Sequence, residues 1–422
     1  MKDRIPSRLV SETRLCALTE NADLLIRSTR SNDIVALTLL LPMGSREEVS
    51  SQAGIGTLAL GMLSRGTQRK TDYELAVALE SIGASFSTDV QKDRASISMQ
   101  TTRPQLQRSL DLLEEILLEP TFPREEFEVE KAIQIQEIRE DLDSPFTAAY
   151  RLFQETFFKD HPYARHASGS EETVGRLTHG IVRADFEKRF GCGPLVFAVV
   201  GNAELDEVRP SLTRIAERIA KGAPAAREPI GGPCNGKVDS VYRKRTTESE
   251  SIMYGFPAPG VLDDSYPTWK VLDSIMGGSM DSRLFDEIRE KRGLVYQIGS
   301  TYPPLEWGSV FIVSLVSTVQ NHDEVLECLD REIDRLKTTL ADPDEIGRAK
   351  TYLQGTFLMS QEKNRDQTYL LARTHSLGLG VDYIDRYPQL LDEVTPESIR
   401  QAARGFLIHP TIAIVGPGNG SA

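Results

Sequence analysis

Two short apolar segments decide the fold of this chain. IVALTLLLP (residues 34–42) ends at Pro42, and ESESIMYGFP (residues 248–257) ends at Pro257. FAVVGN and IAIVGP repeat that spacing, because Gly201 and Gly416 are separated by the same interval as the two prolines. Short segments rich in Val, Ile and Leu are typical of buried strands. The common interval at both ends of each half predicts a chain that carries one domain twice.

The segments between these landmarks follow the same order in both halves. Each half has a strand-like segment and two helical ones: RASISMQ, QLQRSLDLLEEILL and EEFEVEKAIQIQEIREDL in the first, GSVFIVSLV, HDEVLECLDREIDRLK and PDEIGRAKTYLQGTF in the second. One of these helices carries an apolar stripe of Leu106, Leu110, Leu113 and Leu117. Leucines at this spacing predict a helix face that packs on a sheet. We therefore expect an α+β fold, with two homologous layered α/β domains related by internal duplication.

A segment dense in proline and glycine separates the two halves. KGAPAAREPIGGPCNGK, residues 221–237, has neither helical nor strand periodicity, and this composition is typical of an interdomain linker. We therefore predict an N-terminal domain at residues 1–220 and a C-terminal domain at residues 238–422. The length of 422 residues agrees with this division, because single domains usually contain about 100–200 residues.

The composition indicates a globular protein that does not bind nucleic acid. A net charge of -13 opposes contact with phosphate backbones, which requires clustered Lys and Arg. The N-terminus lacks the apolar core of a signal peptide, and no apolar run approaches the roughly 20 residues that span a bilayer. Four scattered cysteines without a CxxC pair suit a reducing compartment. We expect a cytoplasmic chain; a periplasmic or organellar chain after removal of a targeting segment has the same features.

The segment GSREEVSSQAGIGTLALGMLSRGT, residues 44–67, resembles the zinc helix of the pitrilysin/insulysin metallopeptidases, which include the mitochondrial processing peptidases. That helix carries H-x-x-E-H, then apolar residues, a basic residue and Gly-Thr. Alignment on the final Arg-Gly-Thr places Thr57 and Gly61 at the histidines and Leu60 at the glutamate. Histidines at i and i+4 share a zinc ion, and the glutamate activates its bound water. The three replacements together predict that the zinc site is lost.

Other segments of the first half resemble the same family. The family's third zinc ligand is a distant Glu, and the matching segment QEIREDLDSP places Glu137 there. Glu137 is either a relic of that ligand or a polar residue on a solvated or interhelical face, and we favour the second interpretation. HPYARHASGSEETV contains His161 and His166 without a cluster of partner ligands, so we expect packing or surface roles for both. We expect neither a metal nor another cofactor in this chain.

The second half carries SIMGGSMDSRLFDEIREKRGLVYQIGSTY, residues 274–302, which is similar to the family's C-terminal segment LGGG…SRLF…LREKxGLxY. Family members place an Arg and a Tyr at this spacing, from which they reach the zinc site of an N-terminal domain. The resemblance implies that Arg289 and Tyr296 hydrogen-bond the substrate carbonyl and the developing oxyanion. Taken without the resemblance, Arg289 fits a charged helix face and Tyr296 a half-buried core position.

The resemblance covers roughly residues 30–416 and implies an asymmetric role. In two-subunit members of the family, one chain brings the zinc helix, the other brings the Arg/Tyr pair, and the two close around a peptide. We therefore expect a heterodimer with a homologous HxxEH-containing catalytic subunit, which holds the zinc, and a peptide substrate. Two alternatives stay open: a structural homologue like the core subunits of the bc1 complex, and a stand-alone peptide-binding protein without peptidase activity.

Overall fold

A computed structural model of the chain describes residues 13–220 and 239–418. The linker predicted at residues 221–237 lies outside these ranges, so the two domain boundaries stay predictions. Within the described ranges, every helix is too short or too polar to cross a membrane. The cellular compartment also stays a prediction.

Both halves consist of one mixed sheet and a set of helices. The first half contains the strands Arg14–Thr19 (β1), Ala22–Ser28 (β2), Ile34–Leu41 (β3), Ser85–Val90 (β4), Ala95–Thr102 (β5) and Leu195–Gly201 (β6). Its helices are Ile55–Gly61 (α1), Asp72–Ser81 (α2), Leu106–Leu118 (α3), Arg124–Asp143 (α4), Pro145–Phe158 (α5), Glu171–Arg176 (α6), His179–Arg189 (α7) and Leu205–Ile219 (α8).

The second half also consists of strands and helices, with one strand fewer among the described residues. Its strands are Asp239–Lys244 (β7), Glu250–Ala258 (β8), Val295–Thr301 (β9), Ser309–Ser317 (β10) and Thr411–Gly416 (β11). Its helices are Tyr266–Asp273 (α9), His322–Thr338 (α10), Pro343–Met359 (α11), Asn364–Ser376 (α12), Tyr383–Asp392 (α13) and Pro396–Phe406 (α14). Two π-helical segments, Ser274–Gly278 and Phe285–Glu290, lie between α9 and β9.

The strand order confirms the internal duplication. The first sheet has the order β1-β2-β6-β3-β5-β4, and the second has the order β7-β11-β8-β10-β9. Each sheet contains one parallel pair, β2 with β6 and β7 with β11. Even the register repeats: Ala36 lies opposite Val200 and Ser251 lies opposite Val415, so both partners are shifted by the interval found in the sequence. The two halves therefore share one topology as well as similar segments.

Each sheet packs one face against helices of its own half. The leucine stripe of α3, from Leu106 to Leu117, is buried in the first core, as predicted. In the second core, the fully buried Trp269 of α9 packs near Phe311 of β10, with ring centroids 6.1 Å apart. Fully burying a large side chain of this kind stabilises a fold by roughly 1.5–3 kcal/mol. These two cores hold the helices that carry the candidate site residues.

The opposite face of each sheet is covered by a helix from the other half. Helix α5 of the first half packs on β8 and β11, where Phe153 and Phe157 are buried. Helix α12 of the second half packs on β3 and β6, where Leu371 is buried and the hydroxyls of Thr38 and Thr368 are 2.7 Å apart. Neither sheet would be covered on both faces without the other half. The two halves are therefore interlocked rather than merely adjacent.

A glycine on β8 allows this interlocking and gives a test of it. Replacing Gly255 with Ala should lower the free energy of unfolding by about 1–3 kcal/mol, the usual cost of overpacking. An added Cβ there would lie 2.3 Å from Cζ of Phe153 on α5. Gly347 on α11 is the matched control, because its added Cβ would meet no atom within 4 Å. Urea unfolding should show Gly347→Ala unchanged or slightly stabilised; equal losses in both variants would contradict close packing of α5 on β8.

Candidate functional site

The degenerate metal motif lies on α1, which a buried carboxylate holds in place. Helix α1 begins after Gly54, whose φ of 93° lies in the left-handed region. The Glu48 carboxylate accepts hydrogen bonds from the backbone N–H groups of Gly54, at 2.8 Å, and Gly56, at 2.9 Å. These groups belong to the helix start, where N–H donors lack partners within the helix. No sequence motif marks Glu48, because its contact with the helix start reaches across a loop.

The burial of Glu48 predicts a pH dependence of stability. Desolvation raises the pKa of Glu48 to about 7, so the folded chain keeps a proton that the unfolded chain releases near pH 4.5. The stabilising contribution is complete below about pH 4.5 and is lost as the pH rises through about 7. Across this window, wild type should lose about 1–3 kcal/mol more unfolding free energy than Glu48→Gln. The control Glu128→Gln, at an exposed position of α4, should show the same dependence of unfolding free energy on pH as wild type. Parallel curves of unfolding free energy against pH for all three proteins would refute the raised pKa of Glu48.

The three motif positions of α1 make internal contacts that are unrelated to metal binding. The Thr57 hydroxyl donates a hydrogen bond to the carbonyl oxygen of Ala167 at 2.9 Å. Leu60 is 1% exposed and belongs to the first core. A Cβ added to Gly61 would lie 2.3 Å from Oε1 of Glu130. A threonine hydroxyl, an isobutyl group and a hydrogen atom do not provide the ligand set of a zinc site.

An ion pair fills the space beside Gly61. Glu130 of α4 pairs with Arg65, which lies just after α1; its Oε2 is 2.7 Å from Nε and 2.5 Å from Nη2 of Arg65. Arg65 also approaches Asp72, at the start of α2, at 3.6 Å. This half-buried network ties α1, α2 and α4 together. Glu130 was not among the predicted site residues, although it precedes Glu137 by seven residues, which is two helical turns on one face.

The remaining predicted positions of the first half are dispersed. Glu137 is exposed on α4. Instead of it, Gln134 faces α1, and its side-chain amide donates to the carbonyls of Gly54 and Ser168. Nδ1 of His166 is 2.7 Å from the Ser168 hydroxyl, and Nδ1 of His161 accepts a backbone N–H. Across residues 13–220 and 239–418, His, Cys, Asp and Glu nowhere form a group of three that could hold a metal ion.

Arg289 lies on the second π-helical segment with its guanidinium exposed. Its Cζ stands 4.8 Å from the ring centroid of Phe285, a cation–π contact. The neighbouring Lys291 binds the carboxylates of Asp286 and Glu287, at 2.8 and 2.5 Å. Among the described residues, Arg289 makes no side-chain hydrogen bond or ion pair. Lys291 thus binds the two acids on this segment that come closest, and the five N–H donors of the Arg289 guanidinium are not used within the described residues.

Tyr296 lies on β9, the edge strand of the second sheet. Val295 and Ile298 point into the core, and Tyr296, 67% exposed, points to solvent. Within the described part of the chain its hydroxyl has no hydrogen-bond partner. A turn through Gly293, whose φ is 64°, connects Arg289 to this strand, and the Gly293 N–H donates to the Arg289 carbonyl at 3.1 Å. The second half thus presents a guanidinium and a phenol from adjoining elements. Neither side chain makes a hydrogen bond within the described residues.

The residues of the degenerate zinc motif and the pair Arg289 and Tyr296 therefore differ in solvent exposure and in the half of the chain that carries them. The degenerate motif belongs to the first half and is filled by its own side chains. The pair Arg289 and Tyr296 belongs to the second half and is open to solvent. In this arrangement the chain presents solvent-exposed hydrogen-bond donors, but the described residues offer no metal-binding set.

Models of one protein family match both halves of the chain. Residues 24–171 match the model described as "Insulinase (Peptidase family M16)", and residues 177–353 match the model described as "Peptidase M16 inactive domain". Similar curated proteins include an uncharacterized zinc protease of Rickettsia felis, 28% identical over an alignment of 398 residues that covers 91% of this chain and 93% of that protein. An uncharacterized zinc protease of Streptomyces coelicolor is 26% identical over 89% of this chain and 83% of its own length.

Solved structures share the fold over almost the full length. The crystal structure of a peptidase M16 inactive domain from Pseudomonas fluorescens superimposes with a TM-score of 0.89 at 23% identity, covering 97% of this chain and 99% of that one. A protease from Helicobacter pylori gives a TM-score of 0.87 at 18% identity, covering 97% and 100%. These similarities establish the two-domain α+β architecture that the sequence predicted.

Proposed function

This chain belongs to the M16 (insulinase) family of peptidases, and on that premise we propose that it is the zinc-free subunit of a two-chain zinc endopeptidase, of the mitochondrial-processing-peptidase type. Its partner would be a homologous chain that carries H-x-x-E-H and holds the zinc. This chain would contribute Arg289 and Tyr296 to the shared site, and the substrate would be a peptide held between the two chains.

The contrast between the two sets of residues is the observation that carries the proposal. At the positions where the resemblance places the zinc motif, Leu60 is buried in the first core and the Arg65–Glu130 ion pair lies beside Gly61. Arg289 and Tyr296, in contrast, are exposed and make no side-chain hydrogen bond within the described residues. Exposed tyrosines and arginines are common on protein surfaces, so the spacing of this pair in the segment that resembles the family's C-terminal motif is what singles it out.

The chemistry of the two side chains suits a substrate carbonyl that gains negative charge. Arginine is permanently charged and presents a planar fork that can donate two parallel hydrogen bonds. The tyrosine hydroxyl donates one hydrogen bond from a semi-rigid ring. The zinc of the partner would polarise the carbonyl and activate the attacking water. Arg289 and Tyr296 would orient the carbonyl oxygen and stabilise its charge in the transition state.

Reconstitution with a catalytic partner tests the proposal. This chain should be co-expressed with each H-x-x-E-H homologue from its own genome and purified through a tag on one chain. We expect a 1:1 heterodimer, with an interface above roughly 1,000 Å², that cleaves a quenched peptide and stops when the metal is chelated. The isolated chain should retain no zinc after dialysis and should cleave nothing.

The outcomes separate the proposal from its two alternatives. Assembly with an H-x-x-E-H chain whose cleavage does not depend on Arg289 or Tyr296 would favour a structural homologue. Tight binding of peptides by the isolated chain, without any assembly, would favour a stand-alone peptide-binding protein. Stoichiometric zinc and chelator-sensitive cleavage by the isolated chain would overturn the zinc-free assignment altogether.

A further inference from the structure

A small cavity of about 240 Å³ lies where the two halves of the chain meet. One wall is the turn between β4 and β5, residues 91–94, and another is the loop after β9, residues 303–306. The interlocking helices close it: α5 contributes Tyr150 and Phe158, and α12 contributes Tyr369 and Arg373. The cavity is somewhat smaller than the roughly 300–1,000 Å³ of typical drug-sized pockets, so a small ligand is the appropriate size class.

Two carboxylates at this junction are already neutralised. Asp93 accepts hydrogen bonds from Nη1 of Arg46, at 3.1 Å, from the Tyr163 hydroxyl, at 2.5 Å, and from the backbone N–H of Glu306. The Glu306 carboxylate pairs with Nη2 of Arg94 at 2.8 Å and lies 3.9 Å from Arg46. Nε of Arg46 also lies 2.9 Å from Oε1 of Glu47, so this network joins two arginines to three acids. Asp93, Arg94, Arg46 and Glu306 together bridge the two halves.

Arg373 borders the cavity outside this ion-pair network. Its Nη2 donates to the carbonyl oxygen of Pro304 at 2.6 Å, and within the described ranges no carboxylate forms an ion pair with it. Lys92 also borders the cavity, but its ammonium group is turned to the carbonyls of Tyr163 and Arg165. The net charge of the whole chain is -13, yet this partly enclosed cavity is bordered by a guanidinium that pairs with no carboxylate among the described residues. Partial enclosure strengthens its attraction for an anion.

We propose that this cavity binds a small organic carboxylate. The carboxylate would accept hydrogen bonds from the guanidinium of Arg373, and the apolar part of the ligand would pack on Phe158, Val310 and Pro303. The apolar wall favours an organic anion over inorganic phosphate, because it can bury the hydrocarbon part of such a ligand and phosphate has none. Since the lining residues come from both halves, the ligand would also brace the junction. This inference is independent of the proposed peptidase role.

Calorimetric titration of the full chain with matched probes tests the inference. Phenylacetate and phenylacetamide have nearly the same shape, and only the first carries a charge. We expect phenylacetate to bind about tenfold or more tightly than the amide, the usual contribution of a charge-assisted hydrogen bond. Arg373→Met should remove that ratio, and Arg331→Met, at an exposed position of α10, should keep it. Inorganic phosphate should bind at least about tenfold more weakly than phenylacetate.

Several results would overturn the inference. These are equal binding of acid and amide, no binding of either, unchanged binding in Arg373→Met, or phosphate binding as tight as that of phenylacetate. If Arg373→Met does not fold, Arg373→Lys replaces it, because lysine keeps the charge without the planar fork. That variant should bind phenylacetate several-fold more weakly and still prefer it to the amide. N-acetylphenylalanine, compared with phenylacetate, then distinguishes a peptide C-terminus from a free carboxylate as the natural source.

Discussion

Replacing Tyr296 with Phe in the assembled two-chain enzyme should lower kcat by about 10²–10³ with little change in KM. The magnitude is that of one lost oxyanion donor, about 2.7–4 kcal/mol of transition-state stabilisation. Tyr296 is exposed on an edge strand, so the change removes a hydroxyl without disturbing the core. A donor that acts mainly in the transition state affects kcat rather than substrate binding. Steady-state cleavage of a quenched peptide measures the effect.

Arg289 should be at least as important as Tyr296, and its variants separate charge from geometry. Arg289→Met removes both, and we expect a loss of about 10² or more in kcat/KM, with part of it in KM. Arg289→Lys keeps the charge but not the fork, so its activity should be intermediate. Its contact with Phe285 orients the guanidinium, which a lysine ammonium reproduces less well.

Matched controls decide whether these losses are specific. Tyr73→Phe alters another exposed tyrosine, on α2 of the first half, and Arg331→Met alters an exposed arginine on α10. Both should assemble and cleave as wild type does. Every variant is compared at equal heterodimer content by size-exclusion chromatography. Near-wild-type activity of properly assembled Tyr296→Phe and Arg289→Met would reduce this chain to a structural role.

The architecture was largely predictable because a duplication leaves its mark at fixed spacing. The interval between Pro42 and Pro257 in the sequence is also the offset between the β3–β6 and β8–β11 registers. The interlocking of the halves was not predictable in this way. Apolar residues such as Phe153 of α5 and Leu371 of α12 are expected to be buried, but the sequence does not show which sheet covers them. Helix α5 carries Phe153 to the second sheet, a contact that only the three-dimensional path of the chain determines.

The site was predictable where chemistry follows a motif and unpredictable where it depends on long-range contacts. The replacements at Thr57 and Gly61 were visible in the sequence, because zinc ligands have fixed identities. The position of Glu130 beside Gly61 was not visible, because Arg65 and Glu130 are 65 residues apart. Whether Arg289 and Tyr296 act on a substrate stays a prediction that the reconstituted enzyme must test.

Restoring the metal motif with Thr57→His, Leu60→Glu and Gly61→His should yield a destabilised protein that holds no stoichiometric zinc. Leu60 is buried in the first core, and an unpaired carboxylate there should cost about 4 kcal/mol or more, counting the lost apolar contacts. The new side chain at position 61 would collide with Glu130, whose Oε1 lies 2.3 Å from the added Cβ. Moving Glu130 away would separate it from Arg65 and leave that guanidinium half-buried without its closest partner.

A fourth substitution shows whether the ion pair is the obstacle at position 61. Gly61→His should lower the free energy of unfolding less in a Glu130→Ala background than in wild type, since the colliding carboxylate is then absent; this comparison separates the collision from the cost of leaving Arg65 unpaired. Gly180→His on α7 is the control, because a Cβ added there meets no atom within 4 Å, and a change at such an open position should cost about 0.5 kcal/mol or less. Urea unfolding and metal analysis of the dialysed proteins measure both effects. If the triple variant bound one zinc per chain at wild-type stability, the metal site would have lost only its ligands, and its space would still be available.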